Sequence, residues 1–481
     1  MQRKFLSSLG LILLLNLIVK PFYLLGIDAE VQIRVGKEAY GLYFGLLNLS
    51  FILNMFIDLG INNFNNRNIS QNAQLISKHF AKLFTIKAYL AFGYAILTLG
   101  LGLALGYGKE SFEILALLTF NQVLVSFILF GRSNLAALHL FSRDSIISVL
   151  DRALLIACCS ILLFTDVTVQ DFKIEWFVYL QTLAYVITLL VSIFMLRGKI
   201  GGLQFMFDKL FAIQIFKKSL PYATFTLIAG LYNRLDGIML EKIGPQGSFT
   251  AGEYAQGFRF FEAASMFAYL FAVLLLPIYS RMLKEGSPVK PMVDTATRLL
   301  LGSALAAAIL FYFHGDFVLE WRYPDVTESS ATAFSALMIG FVGVGMFYVY
   351  GTLMTADEDL KKLNYISIGG LVLNLILNFY LIPTHGAFGA AIATMATQLF
   401  AGIAQLVCVV IRFKFGVNTK LLMQFTLYGA FAVATNLFLE DFVSENPLYR
   451  FLLSAMIGGI LLVVTGLFSI TKFVRLLKSN E

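Results

Sequence analysis

Charge is what this sequence has least of. Asp, Glu, Lys and Arg make up 14% of its 481 residues, where a soluble domain carries about 25%. So little charge cannot clothe a globular surface in water, and a soluble protein is excluded. Cysteine is almost as scarce. Cys158, Cys159 and Cys408 each fall inside an apolar run, where a thiol reads as a small apolar side chain and not as part of a disulfide or metal set. His79, His139, His314 and His385 are scattered, so no metal-spaced cluster forms. No Walker-type phosphate loop occurs, which argues against ATP hydrolysis. Long polar connections are missing too, which leaves no room for a globular domain. The chain therefore reads as one integral membrane unit, not an enzyme, with no cofactor.

What fills the sequence is hydrophobic side chains, 58% of the total. They gather into about fourteen stretches, near 5–26, 40–60, 82–106, 112–131, 146–164, 175–196, 220–240, 253–282, 292–314, 331–354, 363–382, 387–411, 421–440 and 448–473. A helix needs roughly 20 apolar residues to cross a bilayer. In hydrocarbon every backbone N–H and C=O must be satisfied within the segment, so these runs are expected to be helices. Outer-membrane strands are about ten residues long and alternate in polarity, which these runs do not. Alternate loops hold 23 of the 36 Lys and Arg residues, the intervening loops only seven. This bias places both termini in the cytoplasm and makes the number of spans even. It also accounts for most of the formal charge of +7, which is no argument for nucleic acid. The first span follows Gln2-Arg3-Lys4 without a small-residue cleavage site and reads as a retained span.

The longest cytoplasmic connection, 197–219, carries five basic residues, three glycines and an apolar stretch at 210–216 suited to the inner leaflet. Around it we expect an N-terminal six-helix lobe at 1–200, a linker at 201–219, a second six-helix lobe at 220–414, and an extra helix pair with a cytoplasmic tail at 415–481. The lobes look like parallel repeats. Span 1 carries Lys20 and span 7 Arg234; span 2 opens with Gly41-Leu42-Tyr43 and span 8 with Gly252-Glu253-Tyr254. Transporters built from such repeats place the substrate between the lobes.

Ten charges fall within the spans. Six are cations, Lys20, Lys87, Arg152, Arg234, Arg259 and Arg298, and four are anions, Asp58, Asp151, Asp236 and Glu262. A charge at the bilayer centre costs about 2.5–3.5 kcal/mol on insertion scales, so these side chains are expected to face a bundle interior or a wet cavity. One reading makes them structural ion pairs. The other uses the surplus of cations to bind phosphate, Arg as a fork of donors and Lys as a point charge. Arg259 and Glu262, three residues apart, can meet on one helix face; Arg234 and Asp236, two apart, cannot. The carboxylates Asp58, Asp236 and Glu262 are candidates to carry H⁺ or Na⁺, and Asp151 to pair across a neighbouring helix. Spans 10 to 14 carry essentially no charge and are expected to be lipid-facing or apolar-lined. Depth along the spans puts Lys20 in the periplasmic third. Lys20-Pro21, Pro277 and Gly369-Gly370 are the expected kinks. The run from Asn62 to Asn68 is a helix-ending loop or a gate.

Five motifs in order, Asp58-Leu59-Gly60, Ser219-Leu220-Pro221-Tyr222, Asn233-Arg234-Leu235-Asp236, Gly252-Glu253-Tyr254 and Gly386-Ala387-Phe388-Gly389-Ala390-Ala391, resemble the polysaccharide-export (Wzx-like, O-antigen or repeat-unit flippase) branch of the MATE-type MOP flippase superfamily. The resemblance covers nearly the whole chain. It implies two six-helix lobes around a cationic cavity in the bacterial inner membrane. It further implies an undecaprenyl-pyrophosphate-linked oligosaccharide moved by alternating access, with membrane lipids, a coupling ion and polysaccharide polymerase machinery as partners. Lipid II-type flippases and multidrug antiporters share the fold. A membrane polymerase or glycosyltransferase of surface polysaccharide is the alternative of a different class, and the acidic segment at 316–330 is its one candidate acceptor loop.

Overall fold

The computed structural model describes residues 16–62, 65–66, 69, 74, 76–165, 172–200, 205–216, 228, 230–231, 234–416, 418–442 and 446–468. Among these residues every regular element is helical. In chain order they are α1 (Asn16–Asp58), α2 (Ile76–Ala104), α3 (Lys109–Ala137), α4 (Phe141–Phe164), α5 (Ile174–Leu196) and the short α6 (Leu235–Ile243). There follow α7 (Ser248–Lys284), α8 (Lys290–Arg322), α9 (Glu328–Ala356), α10 (Leu360–Phe413), α11 (Thr419–Phe442) and α12 (Pro447–Val464). Eleven helices are long and apolar enough to cross a membrane.

Two of the eleven are about twice the length a crossing needs: α1 has 43 residues and α10 has 54. Each is broken at one glycine. Gly36 has φ 80°, ψ 165° in α1, and Gly386 has φ 53°, ψ −129° in α10. These are conformations that glycine reaches without a Cβ penalty. Counting each half, and the stretch that ends in α6, the set is consistent with fourteen crossings. The expected loop between spans 1 and 2 is thus a single broken residue. The expected kinks move as well. The helix continues through Pro21 and widens into a π turn at Tyr23–Asp28; a proline lacks the N–H that closes a normal turn and crowds the carbonyl four back. Gly369 and Gly370 stay helical, and the break in α10 is at Gly386 instead. Pro277 lies inside α7, as expected.

Chain contacts divide the protein into two compact units, Met1–Gly252 and Glu253–Glu481. In the first, Phe80, Leu83, Ile86, Phe130, Leu135 and Ile147 are core residues between α2, α3 and α4. Here α6 packs on α1, with Gly237 pressed against Asn48 and Phe44. The first turn of α7 also lies on α1. A Cβ on Gly41 would run into the Ser248 carbonyl, and one on Gly252 into that of Lys37. In the second unit, α9 packs between α8 and α10, and α11 and α12 lean on α8. The repeat motifs do the same job in each unit. Tyr43 accepts a hydrogen bond from Gln181 of α5 at 2.7 Å; Tyr254 lies 3.3 Å from Thr394 of α10. Each tyrosine ties the second span of its own repeat to the sixth.

Candidate functional site

The first unit holds seven of the ten charges in three groups. Lys87 of α2 is fully buried and donates to Asp58 Oδ1 at 2.8 Å. The Asn62 N–H, 3.3 Å away, reaches the same oxygen. Arg152 of α4 lies 3.9 Å from Asp151 and donates to the Tyr185 hydroxyl at 3.0 Å. Its guanidinium also stacks over Tyr23, 4.6 Å from the ring centroid, a cation–π contact. Lys20 of α1 lies within electrostatic reach of Arg152, Asp151 and Arg132. Arg132 in turn pairs with Asp144 at 2.7 Å. The expected depth of Lys20 is therefore corrected. Its helix runs on to Gly36, so Lys20 shares a level with Arg152 and does not sit near the far end. Three cations, Lys20, Arg132 and Arg152, converge there on two carboxylates.

Arg234 and Asp236, from the seventh span, are also in the first unit. Arg234 caps the start of α6, reaches Asn48 Oδ1 at 3.4 Å and stacks over Phe51 at 4.6 Å. Asp236 is buried in the first turn of α6. In the second unit Arg259 and Glu262 meet at 2.9 Å, with Arg259 buried. Arg298 sits in a π turn at Thr297–Leu301 and donates to Gln424 of α11 at 3.3 Å. So the structure joins Lys20, Arg152 and Asp151, joins Lys87 to Asp58 and Arg259 to Glu262, and gives Arg234 and Arg298 amide neighbours.

Sequence reasoning missed several buried polar groups. Asp28 is 1% exposed and accepts from the Tyr40 hydroxyl. Asp28, Glu30 and Arg34 dilute the hydropathy of a helix that continues to Gly36, so a span drawn to residue 26 leaves Asp28 outside it. Spans 10 to 14 are not simply apolar. Asn374, Asn378, Thr397, Gln398 and Gln405 are buried along α10. His314 of α8 lies 3.0 Å from Asn436 Oδ1 in α11, and Ser454 of α12 donates to the same oxygen at 2.7 Å. The Asn436 amide nitrogen bonds Ala432 O, so Oδ1 faces His314 and the ring donates through Nε2. Asn436 and Ser454 border a cavity of about 320 Å³ lined also by Ala306, Leu310, Tyr428 and Gly458. Uncharged polar residues leave no charge count to find them by. A lone Asn in a run such as 421–440 reads as noise.

Two further candidates shrink. The acidic segment at 316–330 is mostly helix: Asp316 and Glu320 belong to α8 and Glu328 opens α9. Asp325 accepts from Gln256, and Glu253 from Thr327. In the Asn62–Asn68 run, Asn65 is buried against Asn134 and Ser133, while 63–64 and 67–68 lie outside the described residues, as do Ser219 to Tyr222 and Asn233. Among the described residues no group of His, Cys, Asp and Glu has the geometry to hold a metal.

The helices and their buried charges define a multi-pass membrane protein with the fold of the MOP-type transporters. Residues 6–283 match a family described as polysaccharide biosynthesis protein, and the chain belongs to that family. It is 28% identical over 129 residues to the lipid III flippase of Escherichia coli (strain K12), a stretch covering 27% of this chain and 31% of that one. The chain thus spans about a third of the length of that curated relative. It is 25% identical over 189 residues to an uncharacterised membrane protein of Methanocaldococcus jannaschii, 39% of this chain and 44% of that protein. A structure of the lipid II flippase MurJ in an inward closed conformation superposes with a TM-score of 0.72 at 14% identity, covering 98% of this chain and 99% of that one. An inward-facing multidrug resistance MATE family transporter superposes at 0.59 with 14% identity, over 83% and 94%.

Proposed function

We propose that this protein is a flippase for an undecaprenyl-pyrophosphate-linked oligosaccharide, a repeat unit of O-antigen, capsule or exopolysaccharide. It carries this lipid from the inner to the outer leaflet of a bacterial inner membrane by alternating access, with both termini in the cytoplasm. One observation carries the reading. Lys20 and Arg152 come from different helices to one place inside the bilayer, and the nearest carboxylate to Arg152 is 3.9 Å away. Converging like charges in a poor dielectric repel strongly, and a pyrophosphate between them removes that cost. Arg132 stands at the edge of the same group. Arg234, Arg259 and Arg298 are the further basic residues of this reading, set beside Asn48, Glu262 and Gln424. Lys87 is held by Asp58 and serves the fold first.

Flipping in proteoliposomes loaded with a fluorescent lipid-linked oligosaccharide tests this. Arg152→Ala and Lys20→Ala should each lower the rate by at least about tenfold, the equivalent of about 1.4 kcal/mol of lost binding to a phosphate. Lys20→Arg should retain most of it. Wild-type rates in both alanine variants, at equal protein level, refute the pyrophosphate site. The cation group recognises the pyrophosphate and not the sugar, so a lipid II-type substrate offered beside the oligosaccharide decides between head groups. Efflux of a cationic drug without lipid flipping would select the antiporter reading.

A further inference from the structure

Residues 205–216 belong to no crossing helix and to none of the charge groups above. They have no regular structure over 205–208 and are helical over 209–216. The segment runs along α2 in the first unit. Phe211 packs on His79, Lys82 bonds Asp208 at 2.7 Å, the Met206 N–H donates to Thr85 Oγ1 at 2.8 Å, Phe205 packs on Phe84, and Phe207 meets Tyr89 edge-on at 5.5 Å. Ala212 and Ile215 are buried in the core of the unit. The opposite side is largely apolar and uncovered: Phe205, Met206, Phe207, Leu210 and Ile213 are all exposed, Phe205 by 76%, with the polar Lys209 and Gln214 exposed between and after them.

Three facts say what covers that side. The first is depth. The crossing part of α2 begins at His79, and Tyr89 lies about 15 Å further along at 1.5 Å per residue. A chain that reaches Tyr89 has climbed well past the rim of a hydrocarbon core about 30 Å thick. The second is continuity. Beyond Phe207 the same outer surface of α2 goes on through the exposed Tyr89, Phe92 and Ile96, which face lipid in a crossing helix. The third is the backbone. Non-helical chain at membrane depth is tolerated only where protein satisfies its polar groups. Here Thr85 takes the Met206 N–H, and Lys82 neutralises Asp208.

We infer that 205–216 is a membrane-inserted wedge whose Phe205, Phe207, Leu210 and Ile213 side chains sit among the phospholipid acyl chains of the leaflet at the Lys- and Arg-rich end of α2, seated there by Lys82–Asp208 and Thr85. The linker between the repeats is then anchored in lipid beside α2.

The test is tryptophan quenching. Trp176 and Trp321 are first changed to Phe in the full chain. Single tryptophans then go in as Phe207→Trp or Leu210→Trp, with Phe92→Trp as the lipid-facing reference and Glu285→Trp as the water-facing one. Each variant is checked for monodispersity and reconstituted with phosphatidylcholine brominated on its acyl chains. The wedge predicts that tryptophan at 207 and at 210 is quenched at least half as strongly as at 92 and is shielded from aqueous iodide. Iodide quenching equal to that at 285, without bromolipid quenching, overturns it. Adding Asp208→Asn should shift the tryptophan at 207 toward the iodide pattern. An unchanged bromolipid signal in that variant overturns the seating by Lys82.

Discussion

Gly36 and Gly41 lie five residues apart in α1 and are glycine for opposite reasons. Gly36 has open space around it but φ 80°. Alanine there pays only for a positive-φ extended backbone that is essentially glycine's own, about 1–3 kcal/mol, and should lower the melting temperature in detergent by several degrees. Gly41 has helical backbone but no space, because the Ser248 carbonyl occupies the place of a Cβ. Gly41→Ala must part α1 from the start of α7, and we expect a sharp fall in folded protein, well beyond that of Gly36→Ala. Equal melting of the two variants would contradict the close contact. The pair Lys87–Asp58 makes a second residue-scale prediction. Asp58→Asn leaves a fully buried ammonium uncompensated, which costs about 3–5 kcal/mol. The double variant Asp58→Asn, Lys87→Met should recover most of the melting temperature and the flipping rate. Failure of flipping in a stable double variant would return Asp58 to the list of coupling carboxylates. The sequence made Arg259 and Glu262 legible as a pair, because three-residue spacing on a helix is local geometry. Lys87 and Asp58 were legible only as two costly charges, since nothing in their spacing says that α2 lies beside the end of α1.

Helices were legible for the same reason that the breaks between them were not. Mean hydropathy reports which residues avoid water, and it marked α3, α4 and α5 to within a few residues. It cannot see that one glycine at 36 or 386 suffices to end one span and begin the next. Nor can it see that Pro21 is absorbed by a π turn. The linker element carries a pH prediction. The Lys82 hydrogen bond, and after it the Phe211 N–H, hold the Asp208 carboxyl below the ordinary carboxylate range. A lowered value means that the contact is favourable above the unfolded pKa, about 3.9, and is lost as pH falls through the lower, folded one. The other titratable groups beside it are His79 of α2, which stacks on Phe211, and Lys209. Bromolipid quenching of the tryptophan at 207 should therefore persist on acidification down to the ordinary value and fade only below it. Release well above that value would show that another group sets the contact.

For the whole molecule the question is what drives transport. For the proposed flipping the sequence offers no nucleotide loop, and the drive we expect is an ion gradient or downstream consumption of the lipid-linked product. Asp236, buried in the first turn of α6, and Glu262, paired with Arg259, are the carboxylates we expect to respond to H⁺ or Na⁺, since ionisable groups within a span mark proton and ion pathways. An imposed pH or Na⁺ gradient should change the flipping rate severalfold, and Asp236→Asn should abolish the response without abolishing gradient-free exchange. A rate indifferent to both gradients would leave product consumption as the drive.

The two one-residue breaks have a consequence outside transport. Where spans 1 and 2, and again 11 and 12, are joined without a loop, Gly36 and Gly386 each leave almost no peptide outside their helices. A protease has no strand to thread there, an antibody no epitope to grip, and a phage no handle. Changes that an immune system or a virus selects for in loop-rich surface proteins have nowhere to accumulate at these two corners.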